Sequence, residues 1–108
     1  MKSPAKIASV ITVALVMCAC TWVQPEPGAE QIRLLEPHQV SGCEHLANTT
    51  VSVRDRVAGV QRSPGKVEEE LATLARNSAL DVNGDTIVPD GPVRDGRRQY
   101  IIYYCGKQ

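Results

Sequence analysis

Residues 63–84 read SPGKVEEELATLARNSALDVNG and carry the clearest helical pattern of the chain. Ser63 offers a hydroxyl that can cap a helix, and Pro64 suits its first turn. Asn83-Gly84 closes the pattern with residues that tolerate positive φ. Because the chain offers no second helix of comparable quality, this one must cover the face of a sheet. Its apolar stripe, spaced mostly by three and four positions, predicts an amphipathic helix: Val67, Leu71, Leu74, Ala75, Ser78 and Val82.

Two strand patterns follow the helix, Asp85–Pro89 and the longer Arg98–Tyr104. Turn signals at Asp90-Gly91-Pro92 and Asp95-Gly96 separate them. Alternation along the second pattern places two sets of residues on opposite faces of the sheet: Tyr100, Ile102 and Tyr104 on one, Gln99, Ile101 and Tyr103 on the other.

Two more strand patterns precede the helix. Gln31–Leu35 is a short candidate that ends before Pro37, and Leu46–Val57 alternates β-branched or small residues with polar ones. Arg54–Arg62 mixes charge with glycine and receives no assignment. The fold class predicted is α+β, with one amphipathic helix packed on a small three- or four-stranded mixed sheet and one disulfide. The residues of Leu46–Val57 that we expect to face the core are Ala47, Thr49, Val51 and Val53.

Length and composition limit the classes of protein that fit. The chain has 108 residues, enough for one domain, and its formal net charge of zero gives no reason to expect a nucleic-acid partner. Phenylalanine is absent, so the core must come mainly from aliphatic residues. A domain of this size buries roughly 60–65% of its unfolded surface, and a covalent cross-link would add much to its stability.

The N-terminus resembles a lipoprotein signal peptide. Met1–Lys6 carries two lysines, and the apolar run Ile7–Met17 is about half as long as a membrane-spanning helix requires. A buried core helix is the alternative. Ala19 before Cys20 provides the small residue that a lipobox needs, whereas the bulky Met17 precedes Cys18. We predict that 1–19 is cleaved, that Cys18 leaves with it, and that Cys20 carries diacylglycerol and an N-acyl chain, with no other cofactor.

The residues after Cys20 set the expected location. Residues 20–30 contain two prolines and a glycine without apolar periodicity, which predicts a lipid-anchored flexible tether before a domain over 31–108. By resemblance to lipoprotein sorting in enteric bacteria, Thr21 instead of aspartate favours the outer membrane over the inner one. The expected location is the inner leaflet of the outer membrane, with the domain facing the periplasm.

Two cysteines, Cys43 and Cys105, remain in the predicted mature chain. The bacterial envelope outside the inner membrane is oxidising, so a pair of thiols in a small exported domain is normally a disulfide. Free or redox-active thiols are the alternative, which is weakened because these cysteines do not form a Cys-x-x-Cys motif. We predict a disulfide that cross-links the sheet.

No pattern of catalytic or metal-binding residues emerges. Residues 81–85 resemble the start of a calcium loop, but Thr86 and Pro92 stand where glycine and glutamate are needed. His38 and His45 lie in different segments without further metal ligands, and Glu68–Glu70 fits a solvated helix face. We expect no metal site and no enzymatic activity.

Five stretches occur in a familiar order: the lipobox, Gly42-Cys43, residues 71–79, residues 84–88 and Tyr103-Tyr104-Cys105. Together they resemble a bacterial lipoprotein family catalogued as domain of unknown function four-one-five-six, over roughly Cys20 to Cys105. The chain is also distantly similar to the domain of the Rcs envelope-stress sensor lipoprotein, which has a second cysteine pair that this chain lacks. The resemblance implies a fold and a location but no established activity.

Two functions follow as hypotheses. The first is a non-enzymatic, lipid-anchored protein that contacts another envelope protein, as an accessory or stress-related factor. The alternative is a small-molecule-binding or enzymatic domain that uses a pocket formed by Tyr100, Tyr103 and the edge of the helix.

Overall fold

The computed structural model describes residues 23–106. The elements are β1 (Arg33–Leu34), β2 (Glu44–Ser52), β3 (Arg56–Val57), β4 (Val60–Gln61), α1 (Pro64–Asp81), β5 (Thr86–Pro89) and β6 (Arg97–Tyr104). The helix packs on a four-stranded sheet with the order β1-β5-β6-β2, and a small β3–β4 hairpin stands apart from that sheet. Strands β1 and β5 are parallel and the other neighbours antiparallel, so the predicted mixed sheet is confirmed.

The core lies between α1 and one face of the sheet. Alanines at positions 75 and 79 are fully buried, and their small size lets the helix lie close to the strands. Tyr100 and Ile102 of β6 are buried beneath it, as their shared face predicts, whereas Tyr104 at the strand end is exposed. The buried cluster comprises Ile32, Val51, Val67, Leu71, Ala75, Ala79, Ile87, Tyr100 and Ile102.

The predicted helix is confirmed, with one correction to its stripe. Ser63 is the N-cap, and its Oγ accepts a hydrogen bond from the Lys66 N–H at 3.3 Å. The helix ends at Asp81, so Val82 has already left the helical path and is 40% exposed. Ala79 occupies the buried position in its place. Asn83 has φ 61°, the positive value expected after the helix end.

Strand β2 follows the predicted alternation, but its bounds differ. Val51 is buried and Ala47 packs against the core from a half-buried position. The strand begins two residues before the predicted start, and a register irregularity lies between His45 and Ala47. It ends at Ser52 instead of residue 57 because the chain turns into the β3–β4 hairpin, where Ala58 and Gly59 both have positive φ.

The N-terminal part of the described chain lies against α1. Asn77 accepts a hydrogen bond from the Glu26 N–H at 2.9 Å and donates one to the Gln24 carbonyl at 3.0 Å. Ala29, in a short 3₁₀ turn, is buried. Within the predicted tether over 20–30, residues 24–29 are thus held against α1 by these contacts. One side-chain amide supplies both the donor and the acceptor that hold them.

The short strand near position 33 is only two residues long, because residues 29–31 form the 3₁₀ turn. The N–H groups of Arg33 and Leu35 donate to the carbonyls of Asp85 and Ile87, both at 3.0 Å.

Among residues 23–106, no helix combines the length and the apolar character that crossing a bilayer demands.

Candidate functional site

The predicted lipidation site, Cys20, lies outside the described residues, as do the signal peptide and the lipobox. The first described residue, Val23, lines a cavity of about 260 Å³ between α1 and the end of β2. The cavity therefore marks where the chain from Cys20 reaches the domain. Its other lining residues are Ser52, Val53, Arg54, Arg62, Glu70 and Leu74.

An ion pair forms one wall of this cavity. The two guanidinium nitrogens of Arg62 donate to the two carboxylate oxygens of Glu70 at 3.1 and 2.8 Å. The hydrogen bonds from Arg62 to Glu70 raise the pKa of this arginine, and burial opposes them. Glu68 and Glu69 are exposed as predicted, but Glu70 is buried. The prediction of a solvated face was wrong for Glu70 because Arg62 compensates its charge.

The predicted disulfide is present. Cys43 and Cys105 are bonded with their Cα atoms 4.4 Å apart, and they join the start of β2 to the end of β6. Asp85 reinforces this end of the sheet, since its carboxylate accepts hydrogen bonds from the Cys105 and Gly106 N–H groups at 2.8 and 2.9 Å. Burial acts to raise the pKa of Asp85, but these bonds, the Thr86 hydroxyl and the charge of Arg33 together lower it.

The tyrosines expected to share a pocket lie on opposite faces of β6. Tyr100 faces α1 and lines an open cavity with Arg98, Leu34 and other residues of the helix and sheet edge. Tyr103 faces the other side, with its ring 6.0 Å from that of His45 in an edge-on arrangement. Burial raises the pKa of Tyr100, whereas the charge of Arg98 acts to lower it. A pocket built from Tyr100 and Tyr103 together is therefore absent.

Arg98 is fixed at the mouth of the Tyr100 cavity. Its Nε donates to the Gly91 carbonyl at 2.8 Å, and its guanidinium carbon lies 5.8 Å from the centre of the Tyr100 ring. Glu68 lies 3.7 Å from its terminal nitrogen. The cavity thus combines an arginine and two glutamates, Glu68 and Glu69, with an apolar floor.

The histidines are also placed apart. His38 is exposed beside Glu36 at 3.9 Å, and the His45 Nε2 donates to the Asn48 side-chain oxygen at 2.7 Å. Over residues 23–106, no group of three or more histidine, cysteine, aspartate or glutamate side chains is arranged to hold a metal ion.

Comparison with protein families identifies the family of this domain. A family model described as domain of unknown function, DUF4156, matches residues 23–105. The chain belongs to the DUF4156 family. The match to the DUF4156 model starts at Val23, the first described residue, and it ends at Cys105, the second cysteine of the disulfide. Searches of curated proteins and of solved structures gave no match to this DUF4156 chain.

Sequence reasoning missed two contacts of this DUF4156 domain, the Arg62–Glu70 ion pair and the Asp85 clamp on residues 105–106. A weak signal existed for the first, because Glu70 lies three residues after the buried Val67 and so near its helix face. No local signal existed for the second, since Asp85 and Gly106 are 21 positions apart.

Proposed function

We propose that this protein is a lipoprotein held by Cys20 in the inner leaflet of the outer membrane, where its periplasm-facing domain contacts another envelope protein. The observation that carries the proposal is the apolar run ending in Ala19-Cys20, which stands directly before the folded domain. The Cys43–Cys105 bond supports it, because structural disulfides belong to oxidising compartments. The role is binding, without catalysis.

The outer face of the sheet, defined here by the paired residues Asn48 and Ile101, Thr50 and Gln99, and His45 and Tyr103, is the surface we assign to the partner. Helix α1 packs on the other face, so these side chains stand outside the main core cluster. Asn48 and Thr50 are exposed, and Ile101 and Tyr103 are half-buried. Aromatic and uncharged polar groups are typical of protein interfaces.

A photo-crosslinking residue at Thr50 in cells tests the partner. We expect one reproducible envelope protein to be captured from this position, with much less from the matched position Glu69 on the exposed side of α1. Equal recovery from both, or none across growth conditions, contradicts the proposal. The resemblance to the Rcs sensor makes envelope-stress conditions the first to examine.

The anchor has its own test. The intact mass of detergent-extracted protein should correspond to a chain that begins at Cys20 and carries acyl groups, and Cys20→Ser should abolish both acylation and cleavage before residue 20. An unacylated chain in the soluble fraction contradicts the anchor without bearing on the partner.

The open cavity of Arg98 and Tyr100 favours a second candidate function, the binding of a small molecule with a hydrogen-bonding group and an apolar body. Arg98, which lies 3.7 Å from Glu68, offers the hydrogen-bond donors, and Leu34, 41% exposed, offers the apolar contact. A ligand screen by NMR tests it: hits whose binding survives Arg98→Gln contradict this candidate, and hits lost in that variant support it.

A further inference from the structure

The β3–β4 hairpin carries an exposed apolar tip. Val57 and Val60 face each other across it and are 39% and 67% exposed. Ala58 and Gly59 between them have φ 53° and 80°, the paired positive values of a tight two-residue turn. Val60 is the most exposed of the large hydrophobic side chains in the described part of the chain. A folded monomer gains nothing from this exposure.

The hairpin and the chain segment that leads to the predicted lipid leave the domain at the same cavity. Val23 and the base of the hairpin, Arg54 and Arg62, line one cavity. Three residues from Val23 to Cys20 reach at most ~10 Å, and four from Arg54 to Ala58 reach at most ~14 Å. A membrane that holds the lipid on Cys20 therefore lies within reach of the hairpin tip.

The hairpin is also fixed in direction. The Arg62 side chain donates to the Arg54 carbonyl at 2.9 Å while it pairs with Glu70 of α1, and its N–H donates to the Asp55 carbonyl at 2.8 Å. These contacts join both ends of the hairpin to the helix. The two valines consequently keep one orientation relative to the cavity at Val23.

Positive charge flanks the valines. Arg54 and Arg56 are exposed, and within residues 23–106 neither side chain forms an ion pair or hydrogen bond. Asp55 between them is half-buried and lines a cavity beside the start of α1. Arginines beside a short apolar tip suit the boundary between anionic headgroups and acyl chains.

We propose that the β3–β4 hairpin is a second membrane contact, which places Val57 and Val60 in the lipid interface and Arg54 and Arg56 against anionic headgroup phosphates. This contact rests on the lipidation of Cys20 proposed above, which holds the hairpin beside the bilayer at high effective concentration. This contact fixes the orientation of the domain on the membrane, so that the outer face of the sheet keeps one direction relative to the bilayer.

The test measures the depth of the hairpin in vesicles. The lipidated full-length product carrying Val60→Cys is labelled with a polarity-sensitive fluorophore, which leaves the bonded Cys43–Cys105 pair untouched. It is reconstituted into vesicles of phosphatidylethanolamine and phosphatidylglycerol that contain a lipid-borne quencher. Asp81→Cys, exposed at the other end of α1, is the matched control.

We expect several-fold stronger quenching at position 60 than at position 81. Arg56→Gln should lower the ratio of inserted to water-exposed probe about five-fold, because the attraction of one arginine to an anionic surface changes the binding constant by about that factor. Arg33→Gln should leave the ratio unchanged. Val57→Ser should lower it as well. Equal quenching at both positions, or equal effects of the two arginine substitutions, overturns the proposal.

A second arm separates this proposal from lipidation. The chain beginning at residue 20, with Cys20→Ser and an N-terminal hexahistidine, is held on vesicles that contain a nickel-chelating lipid. Quenching at position 60 in this arm supports the hairpin contact even if the native chain carries no acyl group. A water-exposed probe here overturns the contact whatever the mass of the native protein.

Discussion

Asp85 holds residues 105–106 through two hydrogen bonds, from the N–H groups of Cys105 and Gly106, and accepts a third from the Thr86 hydroxyl. The sequence places this aspartate at the start of a strand and suggests nothing more, because its partners are distant along the chain. Its role could be predicted only after the register of β5 against β6 was known.

Asp85→Asn should lower the free energy of unfolding by about 1 kcal/mol near neutral pH, since an amide cannot accept from all three donors and the site is partly exposed. Because the folded pKa of Asp85 is lowered, its carboxylate stabilises the fold above the ordinary pKa of about 4, and this contribution is lost as the pH falls through the folded pKa. Urea unfolding should therefore show the difference shrinking in acid. Thr50→Ser, at an exposed position without an ionisable side chain, should show no such dependence.

Gly96 meets two requirements that together exclude any residue with a side chain. It has φ 73°, and a Cβ at this position would collide with the Val53 carbonyl oxygen. The Val53 N–H also donates to the Gly96 carbonyl at 2.8 Å, so the two segments cannot separate without losing that bond. The turn signal Asp95-Gly96 predicted the backbone conformation but not the close approach.

Gly96→Ala should therefore cost about 1–3 kcal/mol more than Gly59→Ala. Gly59 is a matched control because its φ is 80° and its Cβ would meet no atom within 4 Å. The difference in urea midpoint between the two variants isolates the steric part. Equal losses would show that conformational strain alone is responsible.

At the scale of elements, helix α1 and the antiparallel strands were predictable because their periodicity covers many residues. The parallel pairing of β1 with β5 was not, since two residues carry no pattern and nothing local specifies a partner 53 positions away, as between Arg33 and Thr86. The β3–β4 hairpin escaped assignment for the same reason. Its two-residue strands are too short to show alternation.

The disulfide is the strongest single contribution to the link between β2 and β6. Its cysteines are 62 positions apart, and replacing both with serine should lower the free energy of unfolding by about 4 kcal/mol in the chain-entropy model. The Tm of the double variant should match that of the reduced wild-type chain. If the two differ strongly, the loss comes from local packing of the serines and not from the missing cross-link.

At the scale of the whole molecule, Asn77 holds the N-terminal part of the described chain, residues 24–26, against helix α1. Asn77→Ala removes the two bonds to residues 24 and 26 and should speed proteolysis within 24–28 by about ten-fold, while the Tm changes little. Limited digestion followed by mass spectrometry measures the rate. Glu69→Ala, on the exposed side of the same helix, should leave cleavage unchanged. Faster cleavage in both variants would show general loosening of α1.

The sequence thus predicted the fold class, the disulfide and the face of each long element. The anchor at Cys20, the outer-membrane location and the partner stay predictions. The candidate pocket was wrong in its pairing of Tyr100 with Tyr103, because consecutive odd and even positions of a strand face opposite sides.

The Cys43–Cys105 bond also sets the mechanical response of an anchored domain. It closes a covalent ring that contains β2 through β6 and the helix, while β1 and everything before it lie outside that ring. Tension between the N-terminus and a bound partner would first detach residues 24–31 from α1 and then peel β1 from β5. Unravelling toward the ring would then stop at Cys43, so residues 24–42 could extend by at most ~65 Å before the load passes to covalent bonds. The cross-link that stabilises this small core would thus also limit how far the domain extends under tension, and it would keep the partner-binding part folded.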